Sequence, residues 1–359
     1  MPMALTEELL WLPLYAFVVC GLLHLVARRT FPKWKLLDFP ARYGLKRAPL
    51  PYPTGILAVG TFIVFFLVLQ DLTKQNLGIL LAMLMIAAVT FIDDRKPLPT
   101  SIRLGAQLIA GFVIFAFGTR IFSITNPLLA DGIFKLDTIV IPSELLSNPP
   151  IWSGIFTIAW LLLTINALNW FDGIPGQVSM LSAIGFLVIG FLAISPRIEH
   201  LDPAQQYELA ALAFVLVGIA AACLLFDFPP ARVLMGDTGA MFFGLMLGVL
   251  TIYAGGKVAT AFLVLGVPLT DSGIVVMRRV LSGKSPLHGS QRGEHLHHRL
   301  LQCGWSERRI IALTAILGTS FGVTALFLST KGKFIAALIL VAIMLCLSWY
   351  TERRMPTKS

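Results

Sequence analysis

Several acidic, amide and histidine side chains interrupt an otherwise apolar sequence, and each is costly there unless it has a partner or a ligand. Asp93 and Asp94 are adjacent at the end of an apolar run, ahead of Arg95 and Lys96. Two neighbouring carboxylates are relieved by a divalent cation or by a phosphate-bound Mg²⁺, or simply by a place at the water interface. Asn166, Asn169 and Asp172 are spaced three apart, which puts them on one helical face. Gly173 and Gly176 would then end the helix and let a ligand approach the backbone. A C-cap and turn explains the glycines but not two amides on an apolar helix. Asp237 stands between Gly236 and Gly239 at the start of another apolar run. It is either a helix cap or a cation ligand beside backbone N–H groups that face a phosphate.

Half of the six histidines, His295, His297 and His298, fall within four residues. They could bind metal, contact phosphate or relay protons. Without cysteine or spaced carboxylate partners a zinc site is disfavoured. Lys284, Arg292 and Arg299 surround them, so phosphate recognition fits better. A loop that only enforces topology would explain the cations but not the histidines. A fifth polar stretch runs from Asp38 and Arg42 through Lys46 and Arg47 to Gly55. It is either a topology anchor or a clamp on a lipid phosphate. Asp271 lies inside a candidate span, where an acid is functional or sits at a half-buried interface.

The elements that position these residues are membrane helices. The 359 residues are 57% hydrophobic and 13% charged, against about 25% charged in a soluble domain. Mean hydropathy is +0.81. Eleven candidate spans follow: 9–27, 55–70, 77–92, 104–118, 151–166, 178–194, 208–226, 238–254, 258–276, 310–328 and 333–350. The ninth contains Pro268 and Asp271. The expected fold is an all-α polytopic membrane protein, 1–359 as one domain, with about 11 helices of roughly 20 residues or fewer.

Charge sets the orientation. With the N-terminus outside, the inside loops and C-terminus hold 21 of the 28 Lys and Arg residues and the outside loops hold 7. That is a strong positive-inside bias. All five polar stretches then fall on the inside face, which predicts a cleft there. The net charge of +9 is explained by topology, and no basic stripe interleaved with aromatics suggests nucleic acid. Residues 121–124 and 134–140 flank a turn signal at Asp131 and Gly132, which predicts a small hairpin on the outer, periplasmic surface. Cys20, Cys223, Cys303 and Cys346 lack disulfide or zinc spacing. The first apolar run reads as a retained helix rather than a signal peptide.

In order along the chain, Asp93-Asp94, Asn166-x-x-Asn169-x-x-Asp172-Gly173, Pro230 to Met235-Gly236-Asp237, and His295-x-His297-His298 resemble the polyprenyl-phosphate N-acetylhexosamine-1-phosphate transferases. The resemblance covers roughly 38–299, and the His-x-His-His-Arg form is closer to the N-acetylglucosaminyl branch than to the muramoyl-pentapeptide branch. It implies a bacterial inner-membrane enzyme with its active site facing the cytoplasm. The enzyme would transfer a sugar 1-phosphate from a UDP-sugar to undecaprenyl phosphate, release UMP, and begin a cell-envelope polysaccharide. It implies Mg²⁺, with Mn²⁺ as a substitute, at Asp237 and Asp172. Asp93, Asp94, His297 and His298 would be catalytic. Asn166, Asn169, Asp172, Lys284, Arg292, His295, Arg299 and Arg42 would bind substrate. A homodimer is a further expectation. Pro175, Asp227 and Leu234 depart from the family pattern, at positions tied to donor recognition. Two other readings stay open: a muramoyl-pentapeptide transferase, and a transporter using intramembrane carboxylates, for which Asp271 is the main feature.

Overall fold

Apolar runs with no water to bond their backbone must close their hydrogen bonds internally, and the chain does so as helices. A computed structural model of the chain describes residues 7–43, 47–126, 132–142, 148–196, 201–255, 258–285 and 293–354. The helices are α1 (Glu7–Thr30), α2 (Gly55–Leu69), α3 (Lys74–Arg95), α4 (Thr100–Ala116), α5 (Ile151–Phe171), α6 (Gln177–Ala193), α7 (Pro203–Asp227), α8 (Gly236–Tyr253), α9 (Val258–Val264), α10 (Gly266–Leu281), α11 (Leu296–Gln302), α12 (Glu307–Phe327) and α13 (Thr330–Arg354). Strands β1 (Ser123–Thr125) and β2 (Ile133–Lys135) pair antiparallel, with Ser123 opposite Lys135. Asp131, half of the turn signal, lies outside the described residues.

Among the described residues, seven helices are long and apolar enough to cross a membrane, and α2, α4 and α6 are shorter apolar helices. The chain is a multi-pass membrane protein. The helices sort by burial: 89% of the apolar window of α8 is inside the fold and 78% of that of α7, but only 22% for α1 and 28% for α13. The outer helices present Leu14, Val18, Leu22, Ile335 and Ile339 outward, a surface that only lipid would cover without penalty.

The ninth expected span is not one helix. The run 258–276 breaks at Leu265 into α9 and α10. Pro268 has no N–H to give the carbonyl four residues back, and its ring clashes with that carbonyl. That residue is Val264, the last of α9. The break turns α10 onto α5 and α13, which carries Asp271 toward the histidine segment.

The centre is closed by backbone approaches that only glycine allows. A Cβ on Gly244 of α8 would lie 2.7 Å from Ile165 Cα and 2.8 Å from Thr164 O on α5. Backbone cannot yield as a side-chain tip can. Gly244→Ala should therefore lower the melting temperature in detergent by an amount equivalent to about 1–3 kcal/mol. Gly60→Ala on α2, where a Cβ meets nothing within 4 Å, should be neutral or slightly stabilising.

Candidate active site

The ends of α3, α5 and α7 and the starts of α2, α4 and α8 meet at one end of the bundle. The loop entering α2 makes this junction. Arg47 and the Leu50 N–H both bond Asp38, at 2.6 Å each. Leu234 N donates to Pro51 O at 2.9 Å, and Thr54 N and Gly55 N donate to Leu234 O and Met235 O, both at 2.9 Å. The 38–55 stretch is thus a staple between α2 and α8, with Asp38 and Arg47 paired to each other. Arg42 lies in the 3-10 turn Pro40–Tyr43, and its side chain is outside the described residues.

The staple delivers Tyr52 to Asp94. The Asp94 carboxylate accepts Tyr52 Oη at 2.6 Å, Asp237 N at 2.9 Å, Thr238 N at 3.0 Å and Thr238 Oγ1 at 2.6 Å. The residue preceding α8, Met235, caps nothing with its own side chain, so Asp94 of α3 supplies the cap. Asp94 and its neighbour play different parts. Asp93 accepts Leu98 N at 2.6 Å, and its other oxygen is 3.0 Å from Arg103 Nη1. The same Nη1 lies 3.1 Å from Asp237 Oδ2. One guanidinium nitrogen therefore sits between carboxylates of α3 and α8.

Asp172 follows the last turn of α5. Burial pushes its carboxyl well above the usual carboxylate range, and the negative charges of Asp237, Asp227 and Asp94 push it further. Asn169 sits beside Asp237, with its buried Nδ2 turned toward that carboxylate. Asn166 instead turns to α4: its Nδ2 donates to Gln107 Oε1 at 2.6 Å, and Gln107 Nε2 returns a bond at 3.3 Å. Both asparagines and Arg103 line a largely apolar cavity of about 460 Å³ between α4, α5, α8 and α10. Asp227 is buried and accepts Ser179 Oγ at 2.6 Å.

The histidines reach the same end from the other side. His297 is buried edge-on to Phe171, 5.9 Å between centroids, and neither ring nitrogen has a hydrogen-bond partner. Burial, then the charges of His298 and His295, hold its imidazole well below the usual histidine range. A Cβ on Gly173 would overlap the His297 ring, so glycine there is a steric requirement. His298 packs on His297 at 4.2 Å.

Two expected phosphate ligands are placed elsewhere. Arg299 is 3% exposed and bonds Ser348 Oγ at 3.0 Å and Glu352 at 3.2 Å on α13. α11 packs against α13, and a cation buried there needs a carboxylate partner. Arg299 is tethered to α13 by these contacts. Lys284 and Arg299 line one pocket with Arg278, Arg279, Glu294 and Glu352. Arg292 lies outside the described residues. The sequence reading missed Arg103, Tyr52, Thr238 and Gln107. Arg103, ten residues after Asp93 and at the mouth of a span, carried a signal that topology counting hid.

The oxygen-rich donor set suits a hard cation. Among the described residues no three His, Cys, Asp or Glu side chains form a ready cage. A Mg²⁺ ion needs no such cage, since it is ordinarily held by one or two carboxylates together with phosphates and water.

The sequence matches glycosyl transferase family 4 over residues 76–255, half of the chain. The chain belongs to that family. Among curated relatives, a probable undecaprenyl-phosphate N-acetylglucosaminyl 1-phosphate transferase of Bacillus subtilis is 25% identical over 273 residues, 74% of this chain and 70% of that protein. A decaprenyl-phosphate N-acetylglucosaminephosphotransferase of Mycolicibacterium smegmatis is 30% identical over 64% of this chain and 57% of its own length. A phospho-N-acetylmuramoyl-pentapeptide-transferase of Leptospira biflexa is 26% identical over 77% of this chain and 79% of its own. The family 4 match contains Asp93, Asp94, Asn169, Asp172 and Asp237, so it spans the acidic junction but not the histidines. In this family 4 chain the two adjacent aspartates should separate on substitution. Asp94→Asn, which removes a four-donor acceptor, should cost about 2–3 kcal/mol of stability in detergent melts, and Asp93→Asn less.

Proposed function

We propose that this family 4 transferase moves a sugar 1-phosphate, an N-acetylhexosamine 1-phosphate, from a UDP-sugar to undecaprenyl phosphate and releases UMP. The observation that carries the reading is the convergence of Asp93, Asp94, Asp172 and Asp237 at one end of the bundle, beside a mostly apolar cavity. The nucleotide comes from water and the polyprenyl chain from lipid, and a site at that boundary serves both. The positive-inside bias orients that end toward the cytoplasm, of a bacterial inner membrane in this reading, with about 11 crossings and the β1–β2 hairpin outside. The relatives named for N-acetylglucosamine transfer and the His295-x-His297-His298-Arg299 sequence favour an N-acetylglucosaminyl donor.

Asp237 and Asp172 would hold Mg²⁺ (Mn²⁺ in its place), with Asp93 in reach. When bound, the ion supplies positive charge to two polyanionic reactants and to the developing transition state. Arg103, which lies between Asp93 and Asp237, would bind a substrate phosphate, a group a guanidinium suits well. Asn169 Nδ2, buried beside Asp237, would donate to the donor nucleotide. The cavity below Asn169 takes the first isoprene units. An oxygen of the lipid phosphate attacks the sugar-bearing phosphorus, the bond to the UMP oxygen breaks, and UMP departs. Asp94 already accepts four hydrogen bonds, so it builds the site rather than acting as nucleophile or base. Asp93 is the carboxylate left to serve the lipid phosphate.

The transporter reading loses its main support, because Asp271 is bonded at both oxygens and leaves no free carboxylate in a pathway. A muramoyl-pentapeptide donor is decided by a donor screen. Purified protein with undecaprenyl phosphate, Mg²⁺ and UDP-N-acetylglucosamine should release UMP, and chelation of the cation should stop it. Asp237→Asn should lower turnover by at least about 100-fold. UDP-sugar alone, without acceptor, should release no stoichiometric UMP. No turnover with any UDP-N-acetylhexosamine contradicts the reading.

A further inference from the structure

Among the described residues, Asp271 is the one acid inside the helical core that the acidic junction does not use. It is 4% exposed in the second turn of α10, and both its oxygens are engaged. Oδ2 is 2.7 Å from His295 Nδ1, and Oδ1 accepts Leu296 N at 2.9 Å. Leu296 opens α11, and His295, the residue before it, makes no side-chain cap of its own. The carboxylate therefore caps one helix from another. Two turns along the same face of α10, Arg279 pairs with Glu294. The segment Glu294 to Leu296 is thus pinned to α10 at two points, and the break at Leu265 is what aims that face at it.

The pairing fixes more than a position. A carboxylate only accepts, so His295 Nδ1 must carry the hydrogen, and Nε2 is the nitrogen left for a ligand. Nε2 is buried and has no hydrogen-bond partner. The His295 ring lies 6.1 Å from Trp170 and is stacked on His297 at 5.8 Å with an interplanar angle of 6°. Three buried ring nitrogens without hydrogen-bond partners, one on His295 and two on His297, are therefore arrayed against the end of α5, where Asn169, Asp172 and Gly173 stand. Unpaired buried nitrogens are expensive unless a ligand completes them.

Resting on the transferase reading above, we propose that Asp271 is a positioning residue for the nucleotide-sugar donor. It acts through His295, by seating the start of α11 and presenting Nε2 of His295 to a polar group of the donor. It does not touch the lipid acceptor. An ordinary core acid would matter for stability alone; this one should matter for one substrate and not the other.

The full-length chain in detergent, with Mg²⁺, is assayed as wild type, Asp271→Asn, His295→Gln and the double variant. Asp271→Asn should raise the KM for the UDP-sugar by about 10- to 100-fold, as expected when a residue orienting a ligand group is removed. The KM for undecaprenyl phosphate should stay close to wild type. His295→Gln should show the same split, and adding Asp271→Asn to it should cost nothing more. If Asp271→Asn does not fold, His295→Gln alone decides. UMP binding by calorimetry follows the same four proteins without turnover, so it tests the positioning role even if the wild type uses no UDP-sugar, the outcome that removes the transferase reading instead. Additive losses, equal rises in both KM values, or unchanged UMP affinity in His295→Gln would overturn the assignment.

Discussion

The bond from Asp94 to the start of α8 is the constraint on which the site depends. The first turn of a helix leaves N–H groups without intrahelical partners, and here a carboxylate from α3 takes two of them. Charge-assisted hydrogen bonds of this kind are strong where water is scarce. The same carboxylate gathers Tyr52 from the loop before α2 and the Thr238 hydroxyl. Three helices are registered by one side chain, and the neighbours of that side chain, Asp93 and Asp237, are thereby brought to the same guanidinium. The site is assembled by chain ends rather than carved into a finished core.

Such an assembly concentrates negative charge. Asp93, Asp94, Asp172, Asp227 and Asp237 all sit within one electrostatic neighbourhood. Arg103 offsets part of it from within the chain, and the high-lying Asp172 carboxyl shows that it does not offset all of it. A junction left acidic by its own residues is suited to a divalent cation arriving with anionic substrates. The histidine side is the opposite case. His297 is held neutral by burial, and its nitrogens wait for partners. In the proposed function the two halves would meet different parts of a nucleotide sugar, charge on one side and hydrogen-bonding groups on the other.

Much of this was legible in the sequence, for a physical reason. A polar residue in an apolar helix is expensive, so Asp93, Asp172, Asp237 and His297 stand out in the sequence. Helix existence was legible from apolar runs, and only Pro268 divided a span that the pattern left whole. What was not legible was pairing. Arg103 and Arg299 are both arginines among polar neighbours; one faces the acids and the other is consumed by Glu352 of a helix fifty residues away in sequence. Asp271 read as an intramembrane acid because its partner, His295, is twenty-four residues on and meets it only after the α9–α10 break. The 38–55 stretch reads as either a topology anchor or a clamp on a lipid phosphate, and in the fold its Asp38 and Arg47 pair with each other while its backbone ties α2 to α8. Types and spacing reveal that a polar side chain needs a partner, and only the fold says which one it has.

The proposed function requires carboxylates from separate helices to share one cation, with Asp237 as its principal ligand. Electron paramagnetic resonance of Mn²⁺ titrated into the purified chain in the presence of UMP tests this most directly. One bound ion per chain is expected in the wild type, and loss of that bound population in Asp237→Asn. Equal Mn²⁺ occupancy in the two proteins, or none in the wild type, would contradict it.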